Sequence, residues 1–201
     1  MRRTRGFVTA TVMAIGLVAL ARLVAGCAPA LSNGGSAAVA DAPVFEVDPF
    51  WPRPLPNDWL MGQAAGVATR GDHVWVVQRP RSLTEDERGA TLTPPRSLCC
   101  KPAPPVLEFD GRGRLVASWG GPGHGHPWPD NEHGIYVDGR DHVWIAGNGA
   151  KDGMILKFTR DGKLLLKIGE PGVVGNDADT RHLNRPANMV VDPATDRKSV
   201  V

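Results

Sequence analysis

At 201 residues with 42% hydrophobic content, the chain is long enough for one ordinary domain. Its 24 glycines and 18 prolines argue against a helical protein and suit short strands joined by turns. The formal charge of +2 resides in the leader, where Arg2, Arg3, Arg5 and Arg22 meet no acidic side chain; beyond it, 19 basic groups face 21 acidic ones and no basic stripe remains to read a nucleic acid.

The arginines precede an apolar run over residues 7–21, followed by small residues up to Cys27. This fifteen-residue, mainly apolar run suits the core of a secretory signal and is short for a membrane span. Val24-Ala25-Gly26-Cys27 resembles a bacterial lipobox, in which cleavage leaves a lipidated Cys27 at the new N-terminus. Arg22 is an awkward neighbour for that site, so an ordinary signal cut near residues 28–30 and an uncleaved anchor stay open. Residues 1–26 are therefore expected as a signal peptide, and 27–43 as the lipidated cysteine with a flexible tether. The expected location is extracytoplasmic: a cell-envelope lipoprotein that meets the membrane only through this anchor, or a secreted or periplasmic protein.

From residue 44 the chain repeats itself. Residues 106–115 and 155–164 share Leu, Phe, Gly and Leu in register at an offset of 49, and both runs end in a Gly-x-Pro-Gly tetrapeptide. Upstream, Gly66-Val67 and Asp72-His73-Val74-Trp75 return as Gly134-Ile135 and Asp141-His142-Val143-Trp144. Alternation and turn residues predict strands at 66–69, 73–78, 106–110 and 115–119, then at 134–137, 142–146, 154–159 and 164–168. A third unit starts near residue 188, and residues 196–201 have the composition of a non-native tail. Residues 44–47 predict a lone strand that closes a final unit. Four antiparallel strands per repeat, in units that cannot bury an apolar face alone, point to an all-β propeller. The expected extent is 44–195, with blade one about 66–120, blade two about 134–169 and blade three from about 188: two complete blades and the start of a third.

Pro186, Met189-Val190-Val191-Asp192, Val143-Trp144-Ile145-Ala146 and Leu156-Lys157-Phe158 followed by Asp161-Gly162-Lys163 resemble the NHL repeat. The resemblance implies the N-terminal part of a six-bladed bacterial NHL propeller. Up-and-down strand order places the short turns at one end and the long connections at 52–65, 79–105, 121–133 and 169–185 at the other, where binding and chemistry usually sit. The leading expectation is a long-loop face that binds a small molecule, peptide or protein.

The alternative is an enzyme. The segments at His133-Gly134-Ile135 and at Gly66-Val67-Ala68 with Gln78-Arg79 resemble parts of peptidyl-hydroxyglycine amidating lyase, itself an NHL-like propeller. That resemblance implies His133 as a ligand for zinc or another divalent metal and Arg79 as a catalytic residue, in a lyase acting on a peptidyl-hydroxyglycine-like substrate. The pattern departs at Gln78, where the lyase has histidine, and one ligand is fewer than the three a catalytic zinc needs. Channel-mouth hydrogen bonding for His133 and a loop salt bridge for Arg79 remain open. The loop at 79–105 is 20 residues longer than its counterpart and carries Cys99-Cys100, expected as a vicinal disulfide, as partners for other cysteines, or as thiols able to hold a soft metal. His124 and His126 fit a solvated loop, and His73 and His142 a structural role. Trp51, Trp59 and Trp128 suit loop staples or a ligand wall.

Overall fold

The computed structural model describes residues 43–176, 178–195 and 197–201. The leader, Cys27 and the tether through residue 42 lie outside them. Residues 43–47, the described part of a unit that ends at Val47, carry no strand: Val44, Phe45 and Val47 are exposed, and among the described residues they have no ladder partner of the kind the expected lone strand requires.

From Asp48 onward the protein is all-β. Among the described residues twelve strands run in chain order: β1 (Trp59–Leu60), β2 (Gln63–Arg70), β3 (His73–Arg79), β4 (Lys101–Pro102), β5 (Val106–Phe109), β6 (Leu115–Trp119), β7 (Glu132–Val137), β8 (Val143–Gly147), β9 (Met154–Phe158), β10 (Leu164–Gly169), β11 (Met189–Val191) and β12 (Lys198–Val200). Two of the sheets have four strands, each antiparallel and paired in chain order: β2-β3-β5-β6 and β7-β8-β9-β10. The sequence places all eight of these strands to within a few residues. It misses the parallel β1–β4 pair, whose two-residue strands lie in irregular segments and show no alternation. The third unit is a hairpin, β11 with β12, so residues read above as a foreign tail supply its second strand.

Alternation in each strand sends residues to two faces, and the faces stack into three apolar layers. Val76, Leu107 and Phe109 on one face of the first sheet are covered by Trp51, Leu55, Trp59 and Met61. Trp75, Val77 and Val106 on its other face meet Ile145, Leu156 and Phe158 of the second sheet. Trp144, Ala146 and Ile155 on the far face of the second sheet meet Met189 and Val191 of the hairpin. The repeat in the sequence is thus a repeat of layers. Trp75 and Trp144 are each 2% exposed, and each such burial contributes about 2–3 kcal/mol.

Gly66 and Gly134 let the first strands of successive units approach. A Cβ on Gly66 would lie 2.7 Å from the His133 carbonyl, and one on Gly134 would press on the Ala187 carbonyl. Any side chain at either position would push the units apart.

Candidate functional site

Antiparallel pairing in chain order sends the β2–β3, β5–β6, β7–β8 and β9–β10 turns to one end. The connections at 80–105, 120–131, 148–153 and 170–188 go to the other end. Arg79 and His133 both belong to the long-connection end.

Arg79 closes β3. Its Nε donates to the Glu132 carbonyl at 2.7 Å and its Nη1 to Gln63 Oε1 at 3.4 Å. The guanidinium therefore lies against the chain one residue before His133. His133 is the extra residue of a bulge in the β7–β8 pair, between Glu132 and Gly134. Bulges turn a side chain out of the ladder, and here the imidazole Nδ1 meets the Ala187 carbonyl at 2.9 Å. A carbonyl only accepts, so Nδ1 is the donor, and a neutral ring so bonded would hold its lone pair on Nε2. That is the tautomer a metal-bound histidine uses. Among the described residues, however, no three His, Cys, Asp or Glu side chains converge to hold an ion. The described residues by themselves do not make a catalytic zinc site.

Gln78, where the lyase pattern has histidine, is completely buried. It accepts from the Gly62 N–H at 2.8 Å and donates to the Ala103 and Pro104 carbonyls at 2.8 and 3.1 Å. With its backbone N–H bonded to the Pro105 carbonyl, it pins the long 80–105 loop to β3. A residue fully used in this way is structural.

That pinning draws the carbonyls of Ala103, Pro104 and Pro105 toward β3. The loop borders a hollow of about 330 Å³ walled by Trp59, Pro80, Pro102, Pro105 and Pro122, with Arg81 and Glu132 as its charged members. Glu132 is buried and accepts from Trp128 Nε1 at 2.8 Å. Arg81 donates to the Pro129 and Asp130 carbonyls and lies 3.9 Å from Glu132 Oε2, while its side chain remains half exposed. Trp59, which the sequence offers as a loop staple or a ligand wall, stands in that wall. The sequence does not offer Arg81 and Glu132, although the density of proline around them marks the segment.

The other candidates fall elsewhere. Cys99 and Cys100 are joined to each other on an exposed stretch beside Leu98. Trp128 is a staple, packed against Trp119 and Phe158. Against the solvated-loop expectation, His126 is half-buried, with its ring 5.1 Å from that of Phe158; His124 is exposed. His73 and His142 each meet a buried carboxylate, Glu108 at 2.7 Å and Asp138 at 3.2 Å. At Asp138, burial works to raise the carboxyl pKa. Donors from Trp144 Nε1, the His142 and Arg140 amides and Lys157 outweigh it and hold the pKa far below the usual carboxylate range.

Set against models of known protein families, the chain matches none, and no curated protein matches it either.

Proposed function

We propose that this chain is part of an exported, lipid-anchored β-propeller of the NHL type, and that its long-loop end binds a small molecule, peptide or protein. The observation that carries this reading is the asymmetry of the two ends. Four short turns stand opposite four connections of greater or irregular build, and the connections enclose a hollow of about 330 Å³ lined by one tryptophan, several proline rings and a half-exposed arginine. Concave sites with apolar walls and a few placed polar groups are where ligands bind. In the propeller reading each four-stranded sheet is one blade and the β11–β12 hairpin opens a third. The anchor at Cys27 would hold the domain on the outer side of a membrane.

A fragment library observed by NMR tests the binding end. Ligands are expected to move the amides of Ala103, Gly120 and Gly121 while leaving Gly139 and Gly162, at the short-turn end, unmoved. Trp59→Ala with Arg81→Ala should abolish the shifts. Hits confined to the short-turn end would overturn the reading. Radiolabelled palmitate incorporation in a bacterial host tests the anchor: Cys27→Ser should remove the label, and an unlabelled parent would remove the anchor from the proposal.

The lyase reading draws on one specific observation, the Nδ1-bonded tautomer of His133 with Arg79 held beside it. It requires further metal ligands beyond the described residues. If it holds, the longest natural form of the protein should purify with about one divalent metal per chain, and His133→Ala should lose it. Arg79→Ala should keep the metal and lose turnover. Metal content unchanged by His133→Ala would end the assignment of that ligand.

A further inference from the structure

We propose a second binding site at the opposite, short-turn end: a hollow between the two sheets, built to take a small molecule bearing a carboxylate or phosphate group. The hollow holds about 480 Å³ and is lined by Arg70, Gly71, His73, Trp75, Asp141 and Arg160.

Its two arginines are braced in the same manner. Arg70 spends Nε on Asp141 Oδ1 at 3.0 Å and Nη2 on the Gly139 carbonyl at 2.8 Å. Arg160 spends Nε on Glu108 Oε2 at 3.2 Å and Nη2 on Glu108 Oε1. In both, the Nη1 group has no protein acceptor among the described residues. A guanidinium fixed along one edge keeps the rest of its planar fork oriented for a planar or tetrahedral oxyanion, and loses little further freedom on binding. Arg160 is also stacked over the Trp75 ring, 5.7 Å from its centroid, which covers one face of the cation.

Charge favours an anion although the pairs balance formally. Glu108 is 1% exposed and does not line the hollow, whereas the Arg160 side chain is 49% exposed. The hollow therefore meets Arg70, Arg160 and an imidazole, with Asp141 as the carboxylate in its wall and exposed Asp72 3.7 Å from His73 Nε2 beside it.

A simpler role for these groups is to stitch the sheets together, since Arg70 reaches from the first to the second and Arg160 from the second to the first. The two roles separate by titration of the chain with inorganic phosphate and with succinate at low ionic strength, followed by NMR. The site predicts saturable shifts at Gly71 and His73, weakened by salt. Arg160→Gln would strand buried Glu108 and risks unfolding, so the decisive variants are Arg70→Gln and Asp141→Asn. Arg70→Gln should weaken binding roughly tenfold or more, as expected for losing charge-assisted hydrogen bonds, and should barely move the melting temperature. Asp141→Asn should tighten binding, because it removes the competing carboxylate. Preference for one probe assigns the ligand as phosphoryl or carboxyl. No saturable binding of either probe, or binding unaffected by Arg70→Gln, would leave only the stitch and overturn the proposal.

Discussion

The two four-stranded sheets place a charged residue across from a tryptophan at the same register position and give it opposite signs. Trp75 faces Glu108 in the first sheet, and Trp144 faces Lys157 in the second. Glu108 is satisfied by His73 at its own sheet's turn and by Arg160 from the neighbouring sheet. Lys157 lies over the Trp144 ring, 4.7 Å from its centroid, and 3.2 Å from Asp138 of its own sheet. The first charge is answered both within its sheet and from the next, the second within its own sheet alone. The repeat constrains strand length and the apolar layers; the polar position tolerates either sign wherever a counter-charge is built beside it.

Reversing that choice is the strongest way to break the comparison. Glu108→Lys would bury an ammonium against Arg160 and His73, and should cost more than about 4 kcal/mol, enough to unfold a marginal domain. Lys157→Glu should cost less, because it sets a carboxylate beside Asp138 at a site with more access to water. The two side chains have different partners, so the double swap should not rescue either single change. Urea denaturation of the four proteins measures this. Rescue in the double variant would show that the two sites share one network.

A second comparison concerns what covers each sheet. Trp119, from the last strand of the first sheet, packs on Phe158 at 5.1 Å and over the Gly162 turn, and its Nε1 donates to the Arg160 carbonyl at 3.0 Å. Trp51 packs on Phe109 at 5.6 Å and over the Gly113 turn, and the neighbouring Arg53 N–H donates to the Gly113 carbonyl at 2.8 Å. Phe109 and Gly113 stand 49 residues before Phe158 and Gly162. Trp51 thus does for the first sheet what Trp119 does for the second. Each tryptophan to alanine should cost roughly 2–3 kcal/mol, below the range of about 3–5 kcal/mol for fully buried aromatic truncations, since both rings are only half-buried. Denaturation midpoints for Trp51→Ala and Trp119→Ala should fall by similar amounts. A near-neutral Trp51→Ala would show that the N-terminal segment covers the sheet without stapling it.

Strands and layers were legible because period-two alternation and the 49-residue echo are properties of the sequence itself. Trp75 and Trp144 could be matched by eye. Trp51 could not, because its partner Trp119 belongs to a strand while Trp51 follows an irregular segment, so no alignment pairs them. The site was less legible for a related reason. Arg79 and His133 lie 54 positions apart, and the backbone carbonyl of Glu132 that brings them together leaves no mark in the sequence. Arg160 reads as an ordinary turn residue; only the packing of one sheet on the next brings it to Glu108. Cross-sheet electrostatics depend on the stacking offset, which strand periodicity does not encode.

The smallest expected effect sharpens the contrast between the two buried carboxylates. Asp138 accepts hydrogen bonds from the Arg140 and His142 amides and from Trp144 Nε1, with Lys157 alongside, and its pKa is held well below the usual carboxylate range. A carboxyl whose folded pKa lies below its unfolded one stabilises the fold at pH values above the unfolded pKa. That contribution declines as pH falls below about 4 and is gone once the folded pKa is passed. Asp138→Asn keeps the size and one acceptor oxygen but gives up the charge. It should cost about 1–2 kcal/mol at neutral pH, the scale of a few charge-assisted hydrogen bonds partly replaced by an amide. In acid the gap between variant and parent should narrow, because the unfolded parent's carboxyl takes up a proton while the folded one stays ionised. Urea midpoints measured from pH 7 down to pH 3 would show two curves converging. Parallel curves over that range would mean that the charge on Asp138 does not support the second sheet, and that Lys157 is held by the Trp144 ring alone.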